Sequence, residues 1–177
     1  MSIKKGYNAN LAPLADGNFT LMLVPAEEVT DLTAPTATLL NGASSYDATY
    51  DLTPDGWAHT PQNEEITTDR LTLPQSIIRE GKQTDTLEIT YAYKLDKGEG
   101  DTETDEFLTV GARYVAFARY GVEHDEDFAA DQDVDVFPVK CGRKRKNAPT
   151  AGAELTKTVA LTPTSKVLDD VKVVAGA

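Results

Sequence analysis

The feature that most constrains this chain is a strict two-residue alternation running from Thr86 to Leu95. Leu87, Ile89, Tyr91, Tyr93 and Leu95 fall on one side, and Thr86, Glu88, Thr90, Ala92 and Lys94 on the other. In a β-strand successive side chains point to opposite faces, so this pattern predicts a strand with one buried and one wet face. At ~3.3 Å per residue it would reach about 33 Å, beyond the usual five or six residues. Leu87, Ile89, Tyr91 and Tyr93 are the expected core. Glu88 and Thr90 belong to the polar face.

The rest of the chain also reads as strands. Arg113–Tyr120, between Gly111 and Gly121, is aromatic and β-branched on both faces. Such a strand needs cover on both sides, one of them from another subunit. Asp133–Val139 alternates Asp133 and Asp135 with Val134 and Val136, and its Pro138 marks an edge or a bulge. Further strands are expected at 18–24, 36–40, 48–52, 69–73, 155–161 and 170–174. The one helix signal is Thr102–Val110, with acids in the first turn and Gly111 as its stop. The expected fold is all-β, a sandwich or partial barrel with one short flanking helix, in a single domain over residues 1–177. Residues 1–17 read as an N-terminal arm, and 53–65 and 96–106 as long interaction loops.

Charge and composition exclude several functions. There are 17 Lys+Arg against 29 Asp+Glu, a formal net charge of −12. That balance disfavours a DNA-reading module or an anionic membrane surface as partner. One Cys rules out an internal disulfide, and two His leave little for a histidine-built metal site or catalytic triad. Asp131, Asp133 and Asp135 have the first spacings of a calcium loop. However, Val136 stands where that loop needs Gly, and Gly142 where it needs Glu. Cys141 lies beside a basic run with no evident histidine base and reads as a buried structural thiol. His124, among Glu123, Asp125, Glu126 and Asp127, reads as part of a surface charge cluster. No phosphate-cradling or serine-elbow motif is present, so no catalytic residue, metal or cofactor is expected. The longest early apolar stretch, Leu21–Val24, is closed by Pro25 and is far too short to span a bilayer.

Two segments of opposite sign remain. The acidic loop 96–106 contains Asp101, Glu103 and Asp105; the basic cluster Lys140–Lys146 contains Arg143, Lys144 and Arg145. They are expected to meet between neighbouring subunits or stacked rings. Trp57, in the 53–65 loop, reads either as a core anchor or as an interface hot spot.

From about Tyr50 to Val174 the order of features resembles the major tail (tail tube) proteins of long-tailed, non-contractile bacteriophages, especially those of actinobacterial hosts. The matching pieces are the alternating strand Thr86–Tyr93, the acidic loop, and a short helix ending at Leu108 and Gly111. Arg113–Gly121 follows, then Ala129–Val139, Gly142 and Pro149, and a closing strand pair at Glu154–Leu161 and Val167–Val174. The resemblance implies a structural virion protein and not an enzyme. Six copies would form a ring whose strands join into a continuous β-barrel, and rings would stack into the tail tube. Tape-measure protein and later DNA would occupy the lumen without specific contacts. Other tail proteins would cap the ends, and no membrane would be involved. Glu88, Thr90, Asp133 and Asp135 would face that lumen, where negative charge repels DNA phosphates. The competing readings are a single-ring neck or tail-terminator protein and, from another class, a monomeric ligand-binding β-sandwich.

Overall fold

A computed structural model of the chain describes residues 12–72, 74–94 and 103–176. Eight strands form one antiparallel sheet: β1 (Phe19–Pro25), β2 (Tyr46–Asp47), β3 (Leu52–Thr68), β4 (Ile77–Ala92), β5 (Arg113–Tyr120), β6 (Asp133–Lys146), β7 (Thr156–Pro163) and β8 (Leu168–Lys172). Their order is β2-β1-β5-β6-β7-β4-β3, with β8 also paired to β6. Two four-residue helices accompany them, α1 (Ala37–Leu40) and α2 (Thr104–Phe107).

The sheet curls around one continuous apolar core. Leu21 and Leu23 of β1, Ala116 and Ala118 of β5, Phe137 and Val139 of β6, Val159 and Leu161 of β7, and Leu87, Ile89 and Tyr91 of β4 all contribute to it. Trp57 on β3 brings the far end of the sheet back to the β1–β5 side. Its indole Nε1 donates to Tyr120 Oη at 3.0 Å, and its ring meets Phe137 edge-on at 5.1 Å. Leu87, Ile89 and Tyr91 of the alternating segment lie in this core. Tyr93 is not in that core. It lies past the end of β4, half-buried, with Lys157 Nζ 4.4 Å from its ring centroid.

A second, smaller core covers the opposite face of β1, β5 and the first half of β6. Met22, Val24, Val115, Phe117, Val134 and Val136 meet Leu40 of α1 and Val173 there. β5 is thus covered on both faces by its own chain, and no other subunit is needed. Pro138 sits where β6 changes partner from β8 to β7, a place where a missing N–H costs no ladder bond.

Several expected elements are redrawn. Residues 53–65 are not a loop: they form most of β3, which pairs with β4 in a ribbon of 17 and 16 residues. Pro54, Gly56 and Pro61 suggest a loop, yet β3 is the last strand of the sheet, and an edge strand tolerates proline. Segment 69–73 belongs to the ribbon's turn, with Leu73 outside the described residues. Segment 36–40 is helical because Thr36 caps it, its Oγ1 accepting from Leu39 N at 3.2 Å. Segment 48–52 is mostly a single 3₁₀ turn. The expected helix at 102–110 shrinks to α2. The basic cluster 140–146 is not a loop either: it continues β6 along β7, with a bulge between Cys141 and Lys144. Gly142 sits in this bulge, where a Cβ would lie 2.5 Å from the Ala160 carbonyl oxygen.

One buried cation organises the acidic turn after β5. Arg119 is fully buried. Its Nη1 donates to the Asp127 carbonyl and Gln132 Oε1, both at 3.2 Å. Its Nη2 donates to Thr20 Oγ1, to the Glu123 carbonyl and, at 2.7 Å, to the Glu126 carbonyl. The guanidinium also lies 4.3 Å from the Phe128 ring centroid. Because backbone oxygens hold the arginine, the carboxylates of Glu123, Asp125, Glu126 and Asp127 stay exposed. Arg119→Met is expected to destabilise the fold by on the order of 3 kcal/mol, since it strips several charge-assisted bonds from buried carbonyls. Urea unfolding of the monomer measures this.

Candidate functional site: a wet sheet face and two bare edges

The half of the sheet formed by β6 beyond Cys141, β7, β4 and β3 differs from the other half. One face packs on the main core, and among the described residues the other carries no second layer. On that outer face the register aligns Glu88 with Ala160, Thr90 with Thr158, and Thr158 with Arg145. A polar ladder crosses it: Thr90 Oγ1 lies 2.8 Å from Thr158 Oγ1, and Asn147 Nδ2 donates to Thr156 and Thr158 hydroxyls at 3.0 Å. Thr60, Thr84 and Thr86 continue it on β3 and β4. β-branched hydroxyl residues fit a strand whose outer face stays wet.

Among the described residues, both borders of this four-stranded region are open. β3 ends the sheet. On β6 the pairing with β5 stops at Arg113–Lys140, and one further pair of bonds joins Cys141 to Gly111 and Ala112. Beyond that, among the described residues, 142–146 pair only with β7. Each pairing from β3 through β4 and β7 to β6 is antiparallel, so the two border strands run in opposite directions.

The four residues expected on one wall do not share a face. Glu88 and Thr90 are on the outer face. Asp135 aligns with Ala118 and so belongs to the parity of Phe137 and Val139, the inner side of the curl. It is half-buried at the rim, accepts from Asp170 N at 2.9 Å, and burial raises its carboxyl above the ordinary aspartate value. Asp133 pairs with Lys172 at 2.8 Å. The outer face is not acidic either. A groove of about 580 Å³ there is lined by Glu88 together with Arg143, Lys144, Arg145, Lys146 and Thr158.

The acid–base meeting expected between subunits occurs within one. Asp105 of α2 accepts from Lys157 Nζ at 2.6 Å and from Tyr91 Oη at 2.9 Å, and Lys144 Nζ lies at 3.3 Å. Lys144 also bonds the Asp105 carbonyl. Asp51 holds the start of the same helix, accepting from Thr104 N at 3.0 Å and from its hydroxyl at 2.8 Å. Glu103 is buried, and Asp101 lies outside the described residues. Trp57 acts as a core anchor, as its contacts with Tyr120 and Phe137 indicate. Among the described residues of the expected inter-subunit set, Arg143 and Arg145 alone are exposed. Neither has an ion pair among the described residues. The free edges themselves are not written in any residue pattern, because edge status depends on sheet order.

Burial alone would raise the Asp105 carboxyl. The Lys157 and Tyr91 hydrogen bonds and the charges of Lys144 and Lys157 outweigh it and hold the group below its ordinary value. A carboxylate depressed in the folded state stabilises above its unfolded pKa, and that contribution is lost as pH falls through the folded value. Asp105→Asn is expected to cost about 1–3 kcal/mol at neutral pH. The deficit should persist down to about pH 4, near the unfolded aspartate value, and shrink below it. Thermal melts of both proteins between pH 7 and 3 check this.

A family model described as phage tail tube protein matches residues 8–176. No curated protein matches the sequence significantly. Solved structures that share the fold include two tail assemblies. One is the SPP1 tail tube, determined by solid-state NMR and cryo-EM, 12% identical over 91% of this chain and 81% of that one, with a TM-score of 0.51. The other is the cryo-EM baseplate of the anti-feeding prophage, 9% identical over 90% of this chain and 98% of that one, with a TM-score of 0.52.

Proposed function

The chain belongs to the phage tail tube protein family and is a structural virion component, not an enzyme; from that premise we propose that copies join through the two bare edges into rings that stack as the tube. The observation that carries this reading is the open four-stranded region. Its border strands are antiparallel, so the β6 border of one copy can add to the β3 border of the next without breaking the up-and-down order. A closed ring removes every edge, which is the complete solution to unpaired backbone groups. The anti-feeding prophage baseplate was symmetrised six-fold, and six copies of four strands make a 24-stranded barrel. Its inward face would be the threonine-rich one with Glu88 and Thr90, because the opposite face is already packed. Asp133 and Asp135 have no place on that wall. Tape-measure protein and DNA would occupy the lumen, and other tail proteins would meet the tube ends.

The β3–β4 ribbon supplies a second kind of contact. Beyond the core it is exposed on both faces, and Ile66, Leu71, Ile77 and Ile78 are exposed near its tip at 50%, 109%, 46% and 60%. A cluster of large apolar side chains on a protruding ribbon is costly in a lone molecule and suits burial against a neighbouring ring. Negative-stain microscopy of the concentrated protein is expected to reveal tubes. Single rings would favour the tail-terminator reading, and monomers under all conditions would overturn self-assembly. Ile78→Asp is expected to leave monomer stability within about 0.5 kcal/mol while suppressing tube formation.

A further inference from the structure

The two bare edges carry opposite charge. β3 (Leu52–Thr68) contains Asp55, Glu64 and Glu65 and no lysine or arginine. The end of β6 from Lys140 to Lys146 contains five basic residues and no acid. Within the subunit Lys144 is committed to Asp105. Arg143 and Arg145 remain exposed on the strand border that lacks a partner, and Asp55, Glu64 and Glu65 are exposed on theirs.

We propose that Arg143 and Arg145 of one copy dock against the acidic β3 border of the next, so that charge selects which edges join. The inference rests on the tube reading and names the residues that give its lateral contact specificity. Three physical points support it. Like edges repel: β3 against β3 opposes carboxylates, and β6 against β6 opposes arginines, so only the head-to-tail pairing is attractive. That is the heterologous contact a ring requires. Second, Pro54 and Pro61 remove donors from β3, which weakens indiscriminate strand addition and leaves side-chain pairing to decide among partners. Third, Arg145 shares the outer face with Thr158 and Glu88. Unpaired arginines on a tube's inner wall would grip DNA phosphates; neutralised across each seam, they would not.

The test uses the full chain and three variants: Arg143→Glu with Arg145→Glu; Glu64→Lys with Glu65→Lys and Asp55→Lys; and the combination of all five. Monomer melts establish that each folds. The first two are each expected to raise the protein concentration needed for tube formation by roughly tenfold or more, because like charges then face each other across the seam. The combined variant should recover much of that loss. Raising salt toward 1 M, where screening shortens to about 3 Å, should weaken wild-type assembly and lessen the variants' defect. If wild type forms tubes and the single-edge variants do so equally well, or the combination fails to recover, the charge code is wrong while the tube reading stands. If wild type forms no tubes, the tube reading itself fails.

Discussion

Every backbone N–H and C=O on a strand needs a partner, and among the described residues this sheet leaves two rows of them without one. That constraint organises the rest of the molecule. The sheet curls until Trp57 reaches Tyr120, which encloses the main core, yet the curl does not join border to border. On the β1–β5 side the problem is solved internally: α1, the 26–35 connection and the C-terminal strand cover the second face. On the β3–β4–β7–β6 side nothing comparable exists among the described residues. The chain devotes its spare residues to one half of the sheet and leaves the other half as a four-stranded panel.

On top of its core packing, the panel is tied together by a polar hub. Asp105 collects Tyr91 of β4, Lys157 of β7 and Lys144 of β6, three of the panel's four strands, at the end of the core. Asp51 ties α2 to the residues just before β3. Burial and ion pairing act against each other at Asp105, and pairing prevails because two ammonium groups and a phenol converge on one carboxylate. The small helix therefore functions as a clip whose charges are used inside the subunit. This is why the acids of its first turn are poor candidates for contacts with neighbours.

How far the sequence discloses this depends on whether a signal is local. The alternation at 86–92 and the doubly apolar Arg113–Tyr120 can be read directly, since strand parity is a nearest-neighbour property. Proline in β3 and the charge run in β6 mislead for one shared reason: both are tolerated only on edge strands, and edge status is a fact about sheet order, not about the segment. The face of Asp135 is mistaken for a related reason. Alternation fixes which residues lie together on one strand, but not which side of that strand coincides with the polar side of another. That needs the register linking Ala118 to Asp135 across β5 and β6. Arg119 escapes notice because an arginine in an apolar strand announces burial only through the carbonyls of a turn that folds back over it.

The same geometry revises why a tube of this chain would let DNA slide. A net charge of −12 suggests an acidic wall, but the acids are distributed elsewhere: on the turn held by Arg119, at the β8 rim and along the β3 border. The panel's open face carries a run of threonines, with Glu88 amid the cations of the β6 border. Hydroxyls, of which those of Thr90 and Thr158 bond one another, offer phosphate little attraction or repulsion, and at physiological salt a charge is felt only within about 8 Å. In the proposed tube, low adhesion would then follow from a wall of neutral hydroxyls and not from long-range repulsion. It would require that the border cations be matched by carboxylates wherever two copies meet. Closure of the proposed barrel and the smoothness of its bore would in that sense be one requirement, met by the same edge residues.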